Sequence, residues 1–281
     1  MKIFTRTDEV AAFAEQARSA PYVTVDTEFL REKTYYSQLC LIQAASPDDA
    51  VIIDPLADGI NLHPFLELMN NKSVRKVFHA ARQDLEIFLR LMDDVPGPVF
   101  DTQIAAMVFG YGDQVGYEPL VRDLTKVQID KGSRFTDWSR RPLTEKQLTY
   151  ALGDVTHLRD VYEALDDKLR ASGRLGWIEE EMAFLANPNL YVTEPKNAWQ
   201  RLKLRNVKPR EMGVLIEVAA WREREAQRKD VPRARIIKDE VIFEIARARP
   251  TKPDELGRLR SVPQGFERSG TGKSLLDAVM R

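Results

Sequence analysis

The first half of the chain alternates between short stretches rich in β-branched and aromatic residues and stretches with apolar residues at helical spacing. The first pattern predicts strands and the second predicts amphipathic helices. The predicted strands are 22–27, 39–45, 50–53, 74–78 and 99–101, and the predicted helices are 62–69, 80–91 and 102–109. Ser46–Asp49 is a turn too short for a crossover, which favours an antiparallel strand pair. We therefore predict an α/β fold with a mixed sheet flanked by helices.

The second half of the chain is predicted to be mostly helical. Residues 110–142 are rich in glycine and charge, as loops and short helices are, whereas Thr144-Glu145-x-Gln147 predicts the capped start of a helix that runs to about Arg170. Two prolines and three asparagines indicate a linker over 187–197. Further helices are predicted over 209–229, 239–248, 253–260 and 272–280. The domains are then 1–186 (α/β), the linker 187–197, and 198–281 (small, all-α).

Composition and charge indicate two globular domains of different character. Hydrophobic residues make up 43% of the chain and charged residues 30%, which suits a folded core. The formal net charge is only −1, yet residues 201–281 contain 20 Lys and Arg against 12 Asp and Glu. A basic second domain is expected to meet nucleic acid or another anionic surface.

Several other classes of protein are excluded by the sequence. Cys40 is the only cysteine, so neither a disulfide framework nor a thiolate zinc site is available. No apolar run approaches the roughly 18 residues that span a bilayer, and residues 1–17 do not read as a secretory signal. Ser269–Ser274 has Glu267 where a phosphate loop needs its first glycine, and no strand precedes it. We predict a soluble, cytoplasmic protein that binds no membrane and no nucleoside triphosphate.

Acidic residues and one tyrosine stand at three places along the predicted elements. Asp26 and Glu28 share a face because they are two residues apart in a strand, and Tyr150 and Asp154 share a face because they are four apart on a helix. Asp84 follows the short strand 74–78. Each of these features alone is a weak signal, since carboxylates also occur at solvated strand and helix ends. Brought together at one sheet edge, they would offer hard oxygen ligands to Mg²⁺ or Mn²⁺, and paired ions of this kind hydrolyse phosphodiesters.

The same residues lie in motifs that resemble those of the ribonuclease D family. The three exonuclease motifs are matched in order by Val25-Asp26-Thr27-Glu28-Phe29 (with Tyr35-Tyr36 and Gln38-Leu39-x-Leu41-Ile42-Gln43 after it), His79-Ala80-x-x-x-Asp84-Leu85 and Tyr150-Ala151-x-x-Asp154-Val155. Asp101-Thr102-Gln103 and Asp137-Trp138-x-x-Arg141-Pro142-Leu143-Thr144 are also similar to that family. The resemblance covers residues 1–180 and implies a ribonuclease H-like domain of the DEDD 3′–5′ exonucleases. Tyr150, where another branch has histidine, implies the tyrosine branch.

This resemblance implies a metal-dependent 3′–5′ exoribonuclease that trims tRNA precursors and other small structured RNAs and releases nucleoside 5′-monophosphates. It implies two Mg²⁺ or Mn²⁺ ions, with Asp26, Glu28 and Asp154 as direct ligands and Asp84 acting on the second ion. Tyr150 is expected to orient the attacking water. Substrate contacts are expected from His79, Glu28 (at the terminal ribose), Lys131, Trp138 and Arg141.

The last part of the chain is similar to an HRDC domain, a small helical module that binds nucleic acid. The matching residues are Asp230-x-Pro232, Asp239, Ile245-Ala246, Pro250 and Gly270-x-Gly272-Lys273-x-Leu275-Leu276. The resemblance implies that this domain holds RNA upstream of the cut end, with salt-sensitive affinity. Ribonuclease D proteins commonly carry two such domains. This sequence contains one and ends within a predicted helix, as expected of a shortened chain, and we expect a monomer.

Two alternative functions stay open at this point. The first is a non-catalytic nucleic-acid-binding module with a vestigial acidic cluster, and the presence of all four carboxylates and Tyr150 argues against it. The second is a DNA 3′–5′ exonuclease of the same branch, which a comparison of rates on matched RNA and DNA separates from the first hypothesis.

Overall fold

The computed structural model describes residues 2–129, 132, 136–204 and 207–281, and the chain forms two compact units. The first unit takes in the chain up to Leu30 and Gln38–Tyr191, and the second takes in Arg31–Ser37 and Val192–Arg281. Within the described residues, we find no helix with the length and apolar character needed to span a membrane.

Six strands in the described part of the first unit form one mixed sheet. They are β1 (Ile3–Phe4), β2 (Tyr22–Leu30), β3 (Gln38–Ala45), β4 (Ala50–Ile53), β5 (Arg75–Phe78) and β6 (Val99–Asp101). The strand order is β1-β4-β3-β2-β5-β6. β3 pairs antiparallel with β2 and β4, whereas β5 pairs parallel with β2 and β6. The predicted mixed sheet is therefore confirmed.

Helices cover both faces of this sheet. They are α1 (Thr7–Ala17), α2 (His63–Asn70), α3 (Arg82–Met92), α4 (Thr102–Met107), α5 (Tyr117–Thr125), α6 (Glu145–Ala171) and α7 (Glu179–Leu185). On one face, Val25 of β2 packs in a core with side chains of α1, α2 and α3. On the other face, Leu41 and Ile52 pack with Ala151 of α6. The two faces of the sheet therefore pack against different helices, because strand side chains alternate between the faces.

The buried Lys76 of β5 joins three segments of the first unit. Its side chain is fully buried, and its Nζ donates hydrogen bonds to the carbonyl oxygens of Val74 at 2.7 Å and Gly97 at 2.6 Å, and to that of Asn71. An amine enclosed in this way satisfies carbonyl groups that would otherwise be buried without a donor.

The second unit is helical, as predicted. Its helices are α8 (Pro209–Lys229), α9 (Arg233–Ile236), α10 (Asp239–Ala248), α11 (Pro253–Gly257) and α12 (Gly270–Val279). The core is formed by apolar residues of α8, α10 and α12, among them Leu215, Ile242 and Leu275. At the start of α12, Ser269 accepts a hydrogen bond from the backbone N–H of Gly272, and a Cβ at Gly272 would lie 2.2 Å from the Phe266 carbonyl oxygen. Packing therefore requires a glycine at this position.

The loop Arg31–Ser37 belongs to the second unit, although the predicted bounds assigned it to the first domain. The Tyr35 hydroxyl hydrogen bonds Glu223 and accepts a bond from Arg233 at 2.9 Å. Asp230 accepts hydrogen bonds from the backbone N–H groups of Tyr35 at 3.1 Å and Tyr36 at 3.0 Å. These contacts explain why the loop groups with the second unit. They join positions about 190 residues apart, which no local sequence pattern predicts.

Candidate active site

The carboxyl end of β2 places the first two acidic residues. Asp26 and Glu28 share one face of the strand, while Val23 and Val25 on the other face are buried in the core. The pairing of β2 with β3 shifts register between Glu28 and Phe29, as in a β-bulge. Such an irregularity at the end of a strand re-aims the side chains beside it.

Helix α6 brings Asp154 to these two acids. One carboxylate oxygen from each of Asp26, Glu28 and Asp154 lies within 4.8 Å of the other two. Tyr150, one helical turn before Asp154, lines the same cleft. The cleft has a volume of about 760 Å³, and it is also lined by His79, Asp84 and Tyr117. The two pairs of residues predicted from spacing therefore meet in one place.

Asp84 enters the cleft from the first turn of α3, on the opposite face of the sheet from α6. Its side chain is 7% exposed, and its Oδ1 accepts a hydrogen bond from the Thr27 hydroxyl at 2.5 Å. Asp84 does not belong to the three-carboxylate group found among the described residues. Thr27 thus holds Asp84 beside the cluster, and this contact had no counterpart in the sequence analysis.

Burial and mutual repulsion make the acids difficult to ionise. Burial raises the pKa of Asp26 well above its ordinary value, and the negative charge of Asp154 raises it further. The pKa of Asp84 is also raised, first by burial and then by Asp26. A divalent cation would offset this repulsion. The donor set, carboxylate oxygens on three elements, fits hard ions such as Mg²⁺ and Mn²⁺.

The position of α6 is set by contacts along its N-terminal half. Thr144 and Gln147 form a capping box at the start of the helix, as predicted. The Tyr117 hydroxyl donates to the backbone carbonyl of Asp154 at 3.0 Å. The ring of Trp138 lies 6.1 Å from that of Tyr150, centroid to centroid. These contacts hold the segment that carries Tyr150 and Asp154.

His79 lies in the wall of the cleft with both ring nitrogens engaged by the protein. Nδ1 lies 3.0 Å from the Thr102 hydroxyl, and Nε2 lies 3.1 Å from the Val115 carbonyl oxygen, to which it donates. Burial lowers the pKa of this imidazole, so the neutral form is favoured near neutral pH. The next residue, Ala80, adopts a left-handed backbone (φ 57°), and its N–H donates to Asp101 at 3.1 Å. The predicted contact of His79 with substrate stays a prediction.

The remaining predicted substrate contacts occupy different surroundings. Trp138 is 2% exposed and packs with Leu41 and Ile52. The Arg141 guanidinium binds both carboxylate oxygens of Asp54, at 2.6 and 2.7 Å, and donates to the Cys40 carbonyl. In this arrangement the Trp138 indole is covered by protein and the Arg141 guanidinium is taken up by protein acceptors. Lys131 lies outside the described residues.

Comparison with known proteins identifies the class first. The profile of the 3′–5′ exonuclease family matches residues 1–170, and that of the HRDC domain matches residues 211–279. The mixed sheet and its acidic cleft are thus those of a 3′–5′ exonuclease that carries an HRDC domain.

Individual relatives specify the family. A ribonuclease D of Nitrobacter hamburgensis is 53% identical over 281 residues, which is 100% of this chain and 74% of that protein. The crystal structure of Escherichia coli RNase D, described as an exoribonuclease involved in structured RNA processing, aligns with a TM-score of 0.88 at 33% identity and covers 99% of this chain and 74% of that one. Brucella melitensis NrnC with bound Mg²⁺ aligns with a TM-score of 0.55 at 27% identity, covering 68% of this chain and 89% of that one.

The chain belongs to the ribonuclease D family. It is a hydrolytic 3′–5′ exoribonuclease.

Proposed function

We propose that this exoribonuclease shortens tRNA precursors and other small structured RNAs from their 3′ ends by two-metal-ion hydrolysis, releasing nucleoside 5′-monophosphates. The observation that carries the proposal is the meeting of Asp26, Glu28 and Asp154 within 4.8 Å, in a cleft that also contains Asp84 and Tyr150. The structured RNA substrates processed by the E. coli relative and the Mg²⁺ bound by the B. melitensis protein support it.

The four carboxylates act as the metal-binding groups in this proposal. Asp26, Glu28 and Asp154 would hold the metal directly, since one carboxylate oxygen of each lies within 4.8 Å of the other two. Asp84, which accepts a hydrogen bond from Thr27, would act on the second ion. Bound divalent ions would lower the pKa of the attacking water and offset negative charge on the departing 3′ oxygen.

Tyr150 orients the attacking water through its hydroxyl group. In this role the phenol acts as a hydrogen-bonding group and need not ionise. Trp138 packs against the Tyr150 ring and limits its movement. Glu28 contacts the terminal ribose, which selects a free 3′ end over an internal position. We propose that Trp138 positions Tyr150 and does not contact RNA directly.

The basic second unit holds RNA upstream of the cleaved bond. Residues 201–281 carry an excess of eight basic residues, from 20 Lys and Arg against 12 Asp and Glu. Neutralisation of phosphates by such a surface makes affinity depend on salt. We take the enzyme to act as a cytoplasmic monomer.

A time course on 5′-labelled RNA with a 3′ extension tests the proposal. We expect a ladder of products shortened from the 3′ end, with nucleoside 5′-monophosphates as the second product, only when Mg²⁺ or Mn²⁺ is present. Asp26→Asn combined with Asp154→Asn should abolish this trimming, while Asp167→Asn, an exposed acid elsewhere on α6, should leave it intact. Undiminished trimming by the double variant would overturn the metal assignment.

The same assay separates the DNA alternative. A matched DNA oligonucleotide is expected to be shortened more slowly than the RNA. Equal or faster shortening of DNA would favour a DNA exonuclease with the same site.

A further inference from the structure

Gln43 on β3 is a buried amide without a hydrogen-bond partner among the described residues. Its side chain is 0% exposed, and neither Oε1 nor Nε2 is hydrogen bonded there. Leaving a buried polar group unpaired lowers stability, whereas an apolar side chain of the same size avoids that loss. A glutamine at this position therefore calls for a partner that the described residues do not supply in this arrangement.

The strand register places Gln43 beside Asp26. The two residues are direct partners across the antiparallel β2 and β3, and Ile52 is the partner of Gln43 on the other side. Direct partners in an antiparallel pair point to the same face, with Cβ atoms about 4.5–5.5 Å apart. Ile52 packs with Ala151 of α6, so this is the sheet face beneath the helix that carries Asp154.

Asp26 lies among other acids, where a well-placed hydrogen-bond donor would stabilise its carboxylate. One of its oxygens lies within 4.8 Å of those of Glu28 and Asp154, and the Thr27 backbone N–H hydrogen bonds its carboxylate. A carboxylate that ligates a metal with one oxygen is normally oriented by hydrogen bonds to its other lone pairs. The Gln43 amide is the polar group directly across the strand pair.

We propose that Gln43 is a positioning residue whose Nε2 amide donates to the Asp26 carboxylate when the metal is bound, and so fixes Asp26 in its ligating orientation. The inference rests on the proposed role of Asp26 as a metal ligand. Gln43 itself touches neither metal nor RNA in this account.

The variant Gln43→Met, close in size and apolar, tests this role. We expect the Kd for Mn²⁺, measured by calorimetry, to rise about 10- to 100-fold, as is common when a hydrogen-bond partner of a metal ligand is lost. We expect kcat to fall and the KM for RNA to stay unchanged. Without metal, the melting temperature should stay the same or rise, because the unpaired amide is removed. Gln43→Leu repeats the test should one variant fold poorly.

Ile52→Val is the matched control for repacking. It lies on the same face, on the other side of Gln43, and should lower the melting temperature slightly without changing the Kd for Mn²⁺. An unchanged Kd and kcat in Gln43→Met would overturn the proposal. A fall in kcat that comes with a lower metal-free melting temperature and an unchanged Kd would also overturn it, because both then follow from packing.

Asp26→Asn, measured beside these variants, distinguishes a failure of the proposed function from a failure of the proposed role of Gln43. If Asp26→Asn keeps Mn²⁺ binding and hydrolysis, the proposed function itself fails. If Asp26→Asn loses both while Gln43→Met keeps both, only the role of Gln43 fails.

Discussion

Asp84 is buried and Asp26 is half-buried in the acidic cleft, both beside other acids, and this arrangement affects stability as well as catalysis. Burial raises both pKa values above those of the unfolded chain. The folded protein therefore binds more protons than the unfolded chain in the interval between the two values. In that interval the free energy of unfolding falls as the pH rises.

We accordingly predict that the metal-free wild type loses stability between about pH 5 and about pH 8 relative to Asp26→Asn, the variant that serves as reference. Asp26→Asn removes the buried charge and should be more stable than the wild type at about pH 8, with a smaller difference at about pH 5. Urea unfolding in the presence of a chelator measures both. Saturating Mg²⁺ should stabilise the wild type and leave Asp26→Asn nearly unchanged. A metal-free wild type that gains stability relative to Asp26→Asn on going to high pH would contradict the account.

Arg141 lies in one of the family motifs, and its side chain joins distant parts of the first unit. Its guanidinium joins Asp54 to the carbonyls of Cys40 and Trp138. We predict that Arg141→Met lowers the free energy of unfolding by about 3 kcal/mol, since it leaves Asp54 without its partner, and that the KM for RNA barely changes.

Arg140→Met is the control for this prediction. Arg140 is the neighbouring arginine, 83% exposed in its side chain and paired with Asp137. It should change stability by less than about 1 kcal/mol. A large rise in KM with normal stability for Arg141→Met would contradict this prediction and support the substrate contact that the sequence predicted.

At the scale of elements, α6 carries half of the site and is held by residues from elsewhere in the chain. Tyr117 on α5 donates to the Asp154 carbonyl, and burial followed by the charges of Asp154 and Asp26 raises its pKa well above the usual value for tyrosine. The hydroxyl is therefore a permanent donor at neutral pH.

We predict that Tyr117→Phe lowers kcat by about tenfold, equivalent to about 1.4 kcal/mol, because one fixed point of Asp154 is lost. The metal-free stability should fall by about 1 kcal/mol. Tyr111→Phe, a tyrosine outside the acidic cleft, is the control and should leave kcat unchanged. Single-turnover rates at saturating Mg²⁺ measure the effect, and equal rates for Tyr117→Phe and wild type would contradict it.

The segments around strand β5 are held together by the side-chain amine of Lys76. Lys76→Met leaves the carbonyls of Asn71, Val74 and Gly97 without their donor and is predicted to lower the free energy of unfolding by at least about 2 kcal/mol. Lys72→Met, an exposed lysine nearby, should be close to neutral in the same urea titration. Equal midpoints for the two variants would show that the enclosed amine contributes nothing.

The elements with a strong periodic pattern were predictable from the sequence. The antiparallel pair β3–β4, the helix α6 with its Thr144 cap and the helices of the second unit are all present. The two-residue strand β1 was not predicted, because Ile3 and Phe4 are too few to form a pattern. β2 continues to Leu30 beyond its predicted end, since its pairing with β3 extends across the bulge.

The candidate site was also predictable only in part. The spacing of Asp26 with Glu28, and of Tyr150 with Asp154, follows from strand and helix geometry and could be read locally. Contacts between distant segments could not, as with Thr27 to Asp84 or Arg141 to Asp54. A motif shows that a residue matters to a family and does not by itself separate a group that touches substrate from one that holds the fold.

At the scale of the whole molecule, charge is distributed unevenly between an acidic first part and a basic last part. Arg247 and Arg249 are exposed at the end of α10 in the second unit. We predict that Arg247→Gln with Arg249→Gln weakens binding of long RNA and lowers the slope of log affinity against log salt by up to about 1.4. Hydrolysis of a dinucleotide should be unaffected. Filter binding at several salt concentrations measures the slope.

Arg18→Gln with Lys72→Gln removes the same charge from exposed positions of the first unit. This control should leave the slope nearly unchanged. Equal losses in the two double variants would indicate a general charge effect and contradict a specific role of the second unit.

The most direct test of the central claim is a crystal structure with Mn²⁺ and a nucleoside 5′-monophosphate, in which anomalous scattering locates the ions. The account predicts two manganese peaks in the acidic cleft, one between Asp26, Glu28 and Asp154 and the other on the side of Asp84, with Tyr150 directed at the phosphate. An empty cleft with nucleotide bound, or manganese held by other residues, would contradict it.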